Sequence, residues 1–384
     1  MPTPLNFPMT PLGYPNIYIP GYYGDKEAHA RLMVGYALNE DMLALNQWTT
    51  VVGTDQARAY YPVFNSSDFV RLKNLTGNDR RWAAAGERPV AAQGVRFSNR
   101  EFHLERYGES TFVDGLTEEY SQIGSSIVLS QETLASRALT WRSVIGASVV
   151  TDPDNYFTTS TPAVTDNYFT DWAEFTTAMA TAYPANWFGD GLYSGTIASP
   201  VFKRFLGHVQ REIMRRTNNK VKLKDLLFLA NPNTFGKLAA TEEMHAYVAQ
   251  QSGSGAVLRG TDPDFADPAY GLPQPTYQFK MVSDASTVTV GAPSGAAGDV
   301  DYGRQSYLIP DDFIAVLTRP GSVVGLRGSQ GYSSVVLFQN KERALKPTTF
   351  PDMRNDRTEV AVEDMFTMEM VAPDCSFSIG SAVA

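Results

Sequence analysis

The sequence predicts an α+β fold, with helices and strands in separate stretches of the chain. Three observations carry that expectation. Near the C-terminus, Phe366, Met368 and Met370 fall on one face at a period of two, and Thr367 and Glu369 fall on the other; this is the alternation of a strand with one buried face. Leu226–Ala230 is an unbroken apolar run that reads as a buried strand, and it follows a helical stripe of Phe202, Phe205, Leu206, Val209 and Ile213. Finally, Leu134, Ala138, Trp141 and Ile145 recur at spacings of four, three and four, which makes one apolar face of a helix over 130–149.

Taken from the N-terminus, residues 1–24 contain no charged side chain and carry six prolines among Phe7, Tyr14, Tyr18, Tyr22 and Tyr23. Such a segment cannot be helical. In polyproline form it spans about 70 Å at about 3.1 Å per residue, against roughly 50–55 Å for a compact body of the remaining chain. It therefore reads as an arm that packs on a neighbour or folds back on its own subunit. Ala28–Leu45 reads as a helix with Val34, Leu38, Met42 and Leu45 on one side. Residues 50–95 are polar and Arg-rich with little periodicity, and a loop of that length implies a task. Val95, Phe97, Phe102 and Leu104 suggest extended chain interrupted near Ser98-Asn99, followed by Arg106–Glu109 and Phe112–Leu116.

Residues 151–198 contain a local repeat, Asp154–Thr158 and Asp166–Thr170, then a short helix bearing Trp172, Phe175 and Met179. Ser199-Pro200 predicts a helix start, with Ser as the cap and Pro at the first helical position. Asn231-Pro232-Asn233 stops the 226–230 strand, and short helices are expected over 234–239 and 241–248. Residues 251–310, rich in Gly, Ser, Ala, Pro and Asp, predict surface loops with short strands. Phe313–Leu317 and Val335–Phe338 predict buried strands of one body. Ala372-Pro373-Asp374 breaks the C-terminal strand, because proline cannot donate to a ladder, and Phe377 and Ile379 resume it.

The ordered pieces at 95–150, 195–250 and 340–384 resemble the major capsid proteins of tailed bacteriophages, the Hong Kong 97-type fold shared with encapsulin shells. That resemblance implies an N-terminal arm and short helix over 1–48 and an E-loop over 49–95. It also implies a P-domain over 96–198 with its spine helix at 130–149, and an A-domain over 199–345. Residues 346–384 would then return to the P-domain and supply a terminal A-domain strand. Residues 151–198 have no firm family counterpart and read as an insertion or a specialised part of the P-domain. The function implied is self-assembly of hexamers and pentamers into an icosahedral shell around double-stranded DNA, held without sequence-specific binding. Scaffolding, portal and decoration proteins are the implied partners. The implied location is the virion capsid, assembled in the host cytoplasm. An encapsulin-like compartment and a cytoplasmic enzyme are the alternative readings.

Composition sets bounds on these readings. With 384 residues, 43% hydrophobic and 19% charged, the chain is globular and can hold two or three subdomains. Cys375 is the only cysteine, so no intrachain disulfide forms. No apolar run approaches 18 residues, and the proline-rich start lacks a basic region, so neither a membrane span nor a signal peptide is expected. His29, His103, His208 and His245 are too scattered for a metal-ligand pair and read as surface residues. No phosphate-binding loop, zinc motif or nucleophile elbow appears. No catalytic residue, cofactor or metal is expected. Lys73 is the only lysine in 50–95, and no isopeptide crosslink is predicted.

The net charge of −9 is unevenly spread. Residues 71–100 hold seven Arg/Lys against Asp79 and Glu87, and residues 203–224 hold eight against Glu212. Residues 352–374 hold Arg354 and Arg357 against seven acids. These stretches read either as complementary association faces or as solvated surface. The candidate interface residues are Phe7, Tyr14, Tyr18, Tyr22 and Tyr23 of the arm, with Arg71, Lys73, Arg80, Arg81 and Arg88 of the loop.

Overall fold

In the computed structural model, the described residues are 45–63, 98–115, 126–196, 198–217, 221, 225–245, 280–290, 304–321, 333–352 and 354–383. Two five-stranded sheets organise them. The first is built on the long strand β13 (Arg357–Met370), whose buried and half-buried residues alternate along most of its length. Strand β4 (Glu105–Asp114) lies antiparallel along one edge of β13. Along the other edge run β12 (Lys346–Asp352) and then β11 (Val335–Asn340), both antiparallel. Strand β1 (Thr49–Thr54) extends the sheet as a parallel partner of β11.

The segment expected as a long loop thus begins with a sheet strand. Val51 and Val52 of the short Thr49–Val52 run sit on an edge, where too few residues alternate to show the period. A one-turn helix, α1 (Leu45–Trp48), leads into that strand. After it, β2 (Arg58–Val63) and β3 (Ser98–His103) form a separate antiparallel pair. The break expected near Ser98-Asn99 is absent: both residues lie in β3, and beyond it the Leu104 N–H continues the same register by donating to the Ala57 carbonyl at 2.9 Å. Residues 64–97 between these strands lie outside the described set, as do residues 1–44, and with them all of the helix expected over Ala28–Leu45 except Leu45.

The inner face of β13 packs on helix α2 (Ser126–Thr151), longer at both ends than the predicted 130–149. Its buried face also differs from the predicted one. Leu134 is buried, but Trp141 is 53% exposed and Ala138 and Ile145 are only half-buried. The residues turned inward are Ile127, Gln131, Leu134, Ala135, Leu139, Arg142, Ser143, Gly146, Ala147 and Val150. This seam mixes polar and small residues with apolar ones, so a search for apolar periodicity alone points to a neighbouring face. Gly146 is small for a reason: a Cβ there would lie 2.7 Å from Leu45 Cδ1 and 3.0 Å from the Trp48 ring.

The second sheet runs β5 (Tyr168–Phe169), β14 (Phe377–Ile379), β10 (Ile314–Thr318), β6 (Leu226–Ala230), β7 (Lys280–Ser283). Strands β6 and β10 are buried throughout, as the unbroken apolar run requires. On one side, helices α3 (Trp172–Met179) and α4 (Val201–Arg216) pack Trp172, Phe175, Phe202 and Phe205 against Phe228 and Phe377. On the other, Leu227, Leu229, Ala315 and Leu317 join the core beneath β13 and α2. The two apolar runs expected in one body are therefore split, with β10 in this sheet and β11 in the first. The 151–198 segment is integral to the core, since its β5 edges the sheet and Phe169, Trp172, Phe175 and Phe188 are buried. A pair of short strands, β8 (Thr287–Val290) and β9 (Arg304–Tyr307), completes the described set.

Between α2 and β13 lies a buried ion pair. Arg142 Nε and Nη2 donate to the two Asp364 oxygens at 2.7 and 2.8 Å, with both side chains almost fully buried. Asp364 also accepts from the Leu345 N–H at 3.1 Å, and the guanidinium lies 5.2 Å from the Phe366 ring centre. Arg142→Ala leaves a buried carboxylate unpaired and should cost about 3–5 kcal/mol, whereas the double replacement Arg142→Met with Asp364→Leu should cost clearly less. Urea unfolding of the purified protein measures both. Equal losses for the single and double variants would mean that packing, and not the charge pair, dominates this seam.

Candidate functional site: surfaces for subunit contact

None of the ten interface residues expected from the sequence can be placed. Phe7, Tyr14, Tyr18, Tyr22, Tyr23, Arg71, Lys73, Arg80, Arg81 and Arg88 all lie outside the described residues. The surfaces that can be described are the mounting of the β2–β3 hairpin, the open face of the first sheet, and the outer stripe of α2.

The hairpin is fixed to the body by aromatic packing. Phe102 stacks on Phe338 with ring centres 4.3 Å apart and planes 4° from parallel, and Tyr61 sits 5.4 Å from the same Phe338 ring. The Tyr61 hydroxyl donates to Glu369 Oε2 at 3.0 Å. Burial raises the pKa of both groups: the phenol is held neutral, and the carboxyl sits above its usual range. Tyr60, one residue along, points outward and is 72% exposed. The strand alternation thus anchors one tyrosine and presents its neighbour.

On the face of the first sheet turned away from α2, the register places Phe350, Glu359 and Phe112 side by side across β12, β13 and β4. Phe350 is 56% and Phe112 53% exposed. Arg357 lies over the Phe112 ring at 4.3 Å and donates to Asp352 at 3.0 Å; the Asn355 amide, with Arg357 beside it, holds that carboxyl below its usual range. These aromatics come from strands far apart in sequence, so only the register reveals the patch. On the opposite side, Leu129 and Trp141 interrupt an otherwise polar outer stripe of α2, and Trp141 flanks a shallow groove shared with Tyr107 and Phe366.

Three acids of the 352–374 stretch are paired inside the subunit: Asp364 with Arg142, Glu363 with Arg106 and Arg343, and Asp352 with Arg357, while Glu369 accepts from the neutral Tyr61 hydroxyl. In the basic stretch Arg215 pairs with Glu212, Arg204 donates to the Trp187 carbonyl and the Ser199 hydroxyl and lies in the field of the Glu243 carboxylate, and Arg211 donates to the Tyr183 hydroxyl.

Two local expectations need correction. Ser199 does not cap α4; Pro200 occupies the cap position without a side-chain hydrogen bond. The free N–H groups of Phe202 and Lys203 instead donate to the Glu243 carboxylate at 2.9 and 3.0 Å, a non-local cap that a local motif cannot reveal. His208 is not a surface residue either. It is fully buried among Phe175, Phe188 and Phe377, with its Nδ1 2.9 Å from the Tyr183 hydroxyl. Its neighbours on α4 are surface cations, but its own position continues the buried stripe. Among the described residues, no group of three or more His, Cys, Asp or Glu side chains is arranged to hold a metal ion, and no helix is long and apolar enough to cross a membrane.

No family model matches the chain, and no curated protein matches it by sequence. Solved structures do match it in shape. A phage-related protein from Bordetella bronchiseptica RB50 is similar over 93% of this chain and 96% of its own, at 12% identity and a TM-score of 0.54. The capsid protein of cyanophage P-SCSP1u is similar over 88% of this chain and 90% of its own, at 12% identity and a TM-score of 0.50. The chain has the α+β Hong Kong 97-type capsid fold.

Burial, with Arg211, Arg216 and Arg215 nearby, lowers the pKa of His208 to about 3. The unfolded chain takes up this proton near 6.5 and the folded chain only near 3, so stability falls as the pH drops through that window. Wild-type protein should lose up to about 1.4 kcal/mol per pH unit more than His208→Phe between pH 6 and 4. Denaturant unfolding at several pH values reads the difference, and parallel curves would exclude His208 as the titrating group.

Proposed function

We propose that this protein is the major capsid protein of a tailed, double-stranded DNA bacteriophage, a structural and non-enzymatic subunit that self-assembles into an icosahedral shell. The observation that carries the proposal is the whole-chain match in fold, extending over 93% of the chain, to a phage-related protein. The match to a capsid protein over 88% of the chain supports it. On this reading α2 is the spine helix of a P-domain built on β13, and the second sheet belongs to the A-domain. The β2–β3 pair is the base of an E-loop completed by residues within 49–95, and residues 1–48 form the arm. Hexamers and pentamers are the assembly units, DNA is enclosed without sequence-specific recognition, and scaffolding, portal and decoration proteins are the partners. Assembly takes place in the host cytoplasm and the product is the virion capsid.

A closed shell repeats a few heterologous contacts around rings, so each contact is modest and their number supplies the stability. The open sheet face with Phe112 and Phe350, and Tyr60 at the hairpin, suit such contacts because they present large side chains on rigid strands.

Purified protein should run as capsomers or shells by gel filtration and negative-stain microscopy. A monodisperse monomer over a wide range of salt and scaffold conditions counts against the proposal. Particles filled with a protein cargo instead of DNA would favour the encapsulin-like alternative. Deleting residues 2–22 should leave the melting temperature of the unassembled subunit within about 2 °C of wild type while reducing shell closure several-fold; a subunit that unfolds on truncation would place the arm in its own core.

A further inference from the structure

One flank of α2 is covered at its C-terminal end and open at its N-terminal end. At about 100° per residue, Leu129, Ser136, Thr140, Ser143 and Ala147 fall within about 60° of one another around the helix axis. Ser143 and Ala147 are buried, beside the turn where Leu45 and the Trp48 ring of α1 close on Gly146. Leu129, Ser136 and Thr140 are exposed, Leu129 by 58%.

That open stretch is unlike a solvated helix face, which normally carries charge. Leu129, Ser136 and Thr140, with Thr133 beside them, bring none. The hydroxyls of Thr133 and Thr140 donate to carbonyls of their own helix, Leu129 at 2.9 Å and Ser136 at 3.0 Å, so they are engaged before any outside partner arrives. Where α1 meets the flank, Ser143 Oγ and Trp48 Nε1 are buried and have no hydrogen-bond partner among the described residues. Buried polar groups are normally satisfied, so more chain belongs against this seam.

The chain that precedes α1 fits the flank in pattern, length and direction. Residues 28–44 read as a helix whose stripe of Val34, Leu38 and Met42 runs on into Leu45 and Trp48. The last two can be placed, and both are buried against α2. Seventeen helical residues span about 26 Å at 1.5 Å per residue. From Gly146, α2 extends about 30 Å back to Ser126 but only about 8 Å on to Thr151. Only the first direction matches the segment, and it ends at Leu129.

We infer that residues 28–44 of the same chain continue α1 as a helix parallel to α2, with Val34, Leu38 and Met42 packed on Leu129, Ser136 and Thr140. Small residues at 136, 140, 143 and 146 allow the two helices a close approach. On the capsid reading, on which this consequence rests, the segment is the root of the arm. The part that reaches a neighbour is then residues 1–27, and it leaves the subunit at the N-terminal end of α2, not beside β1.

The test uses full-length protein. Two cysteine pairs, Val34→Cys with Ser136→Cys and Leu38→Cys with Thr140→Cys, are treated with a short bismaleimide; Cys375 is buried away from the reagent. At least one pair should cross-link within one chain, giving a species of monomer mass on a denaturing gel that peptide mass spectrometry locates. Hydrogen exchange of the 30–44 amides in wild type should be at least about tenfold slower than in a free peptide of the same sequence. The variant Ser136→Glu with Thr140→Glu should lose that protection, and Ser148→Glu, on the outward side of α2, should keep it. Exchange at the peptide rate in wild type overturns the inference, as does protection that survives both glutamates. Cross-links that form in neither pair overturn it too, and cross-links only between chains show that a second copy occupies the flank instead. If the double-glutamate variant does not fold, the cysteine pairs and wild-type exchange decide. The capsid reading fails separately, if wild-type protein forms no particles under negative stain.

Discussion

The register of the first sheet against its helix depends on the Arg142–Asp364 pair buried in the seam between them. Helix α2 turns Gln131, Ser143 and Gly146 toward β13 along with its apolar residues, so hydrophobic burial alone does not select this face. The bidentate guanidinium–carboxylate geometry does, because only one rotation and one axial position of α2 bring both Arg142 nitrogens onto both Asp364 oxygens. A buried pair of this kind contributes little net stability, yet breaking it is costly, and that asymmetry makes it a device for register. The same carboxylate receives the Leu345 N–H, so the turn that leads into β12 is fixed by the interaction that fixes α2.

The second sheet inherits its position from the first through the chain terminus. After β13, Val371 and Ala372 donate to the Ser334 carbonyl, the chain turns at Pro373, and β14 enters between β5 and β10. Ser378 and Ile379 pair with Tyr168 and Phe169 on one side, while Ile314 to Val316 pair on the other. A three-residue strand inserted centrally in a sheet is costly to remove, since both of its neighbours would lose their ladders. Helix ends in this body are satisfied with equal economy. Asn231 caps helix α5 (Pro232–Ala239) by accepting from the Thr234 N–H, and its amide donates to the Ile309 carbonyl and Asp311. One side chain thereby joins the end of β6 to the loop before β10.

Much of this was legible in the sequence wherever a signal is local and apolar. The period-two face of β13, the buried run of β6, the stripe of α4 and the Trp172–Met179 helix all appear where the pattern puts them. The failures share a cause, which is that the decisive partner is distant in sequence. Arg142 reads as an exposed position until Asp364 is placed beneath it, 222 residues away. Ser199-Pro200 is a sound local cap motif, displaced because Glu243 reaches the same N–H groups. His208 reads as surface by its charged neighbours, although its spacing from Phe205 already set it on the inner side of α4. The Phe112–Phe350 patch depends on register between strands and could not be read from either strand alone.

On the capsid proposal, the distribution of charge bears on how copies of this chain would meet. Asp352 and Glu363 of the acidic 352–374 stretch are already paired with arginines of their own chain. An ion pair already made offers a second copy only exchange, and exchange of exposed pairs is worth about 0–1 kcal/mol. Contacts made by the first sheet therefore rest on its exposed aromatics, whose burial yields roughly 25 cal/mol per Å² and needs no partner charge. Such contacts tolerate salt, because they form without a charge pair that ions could screen.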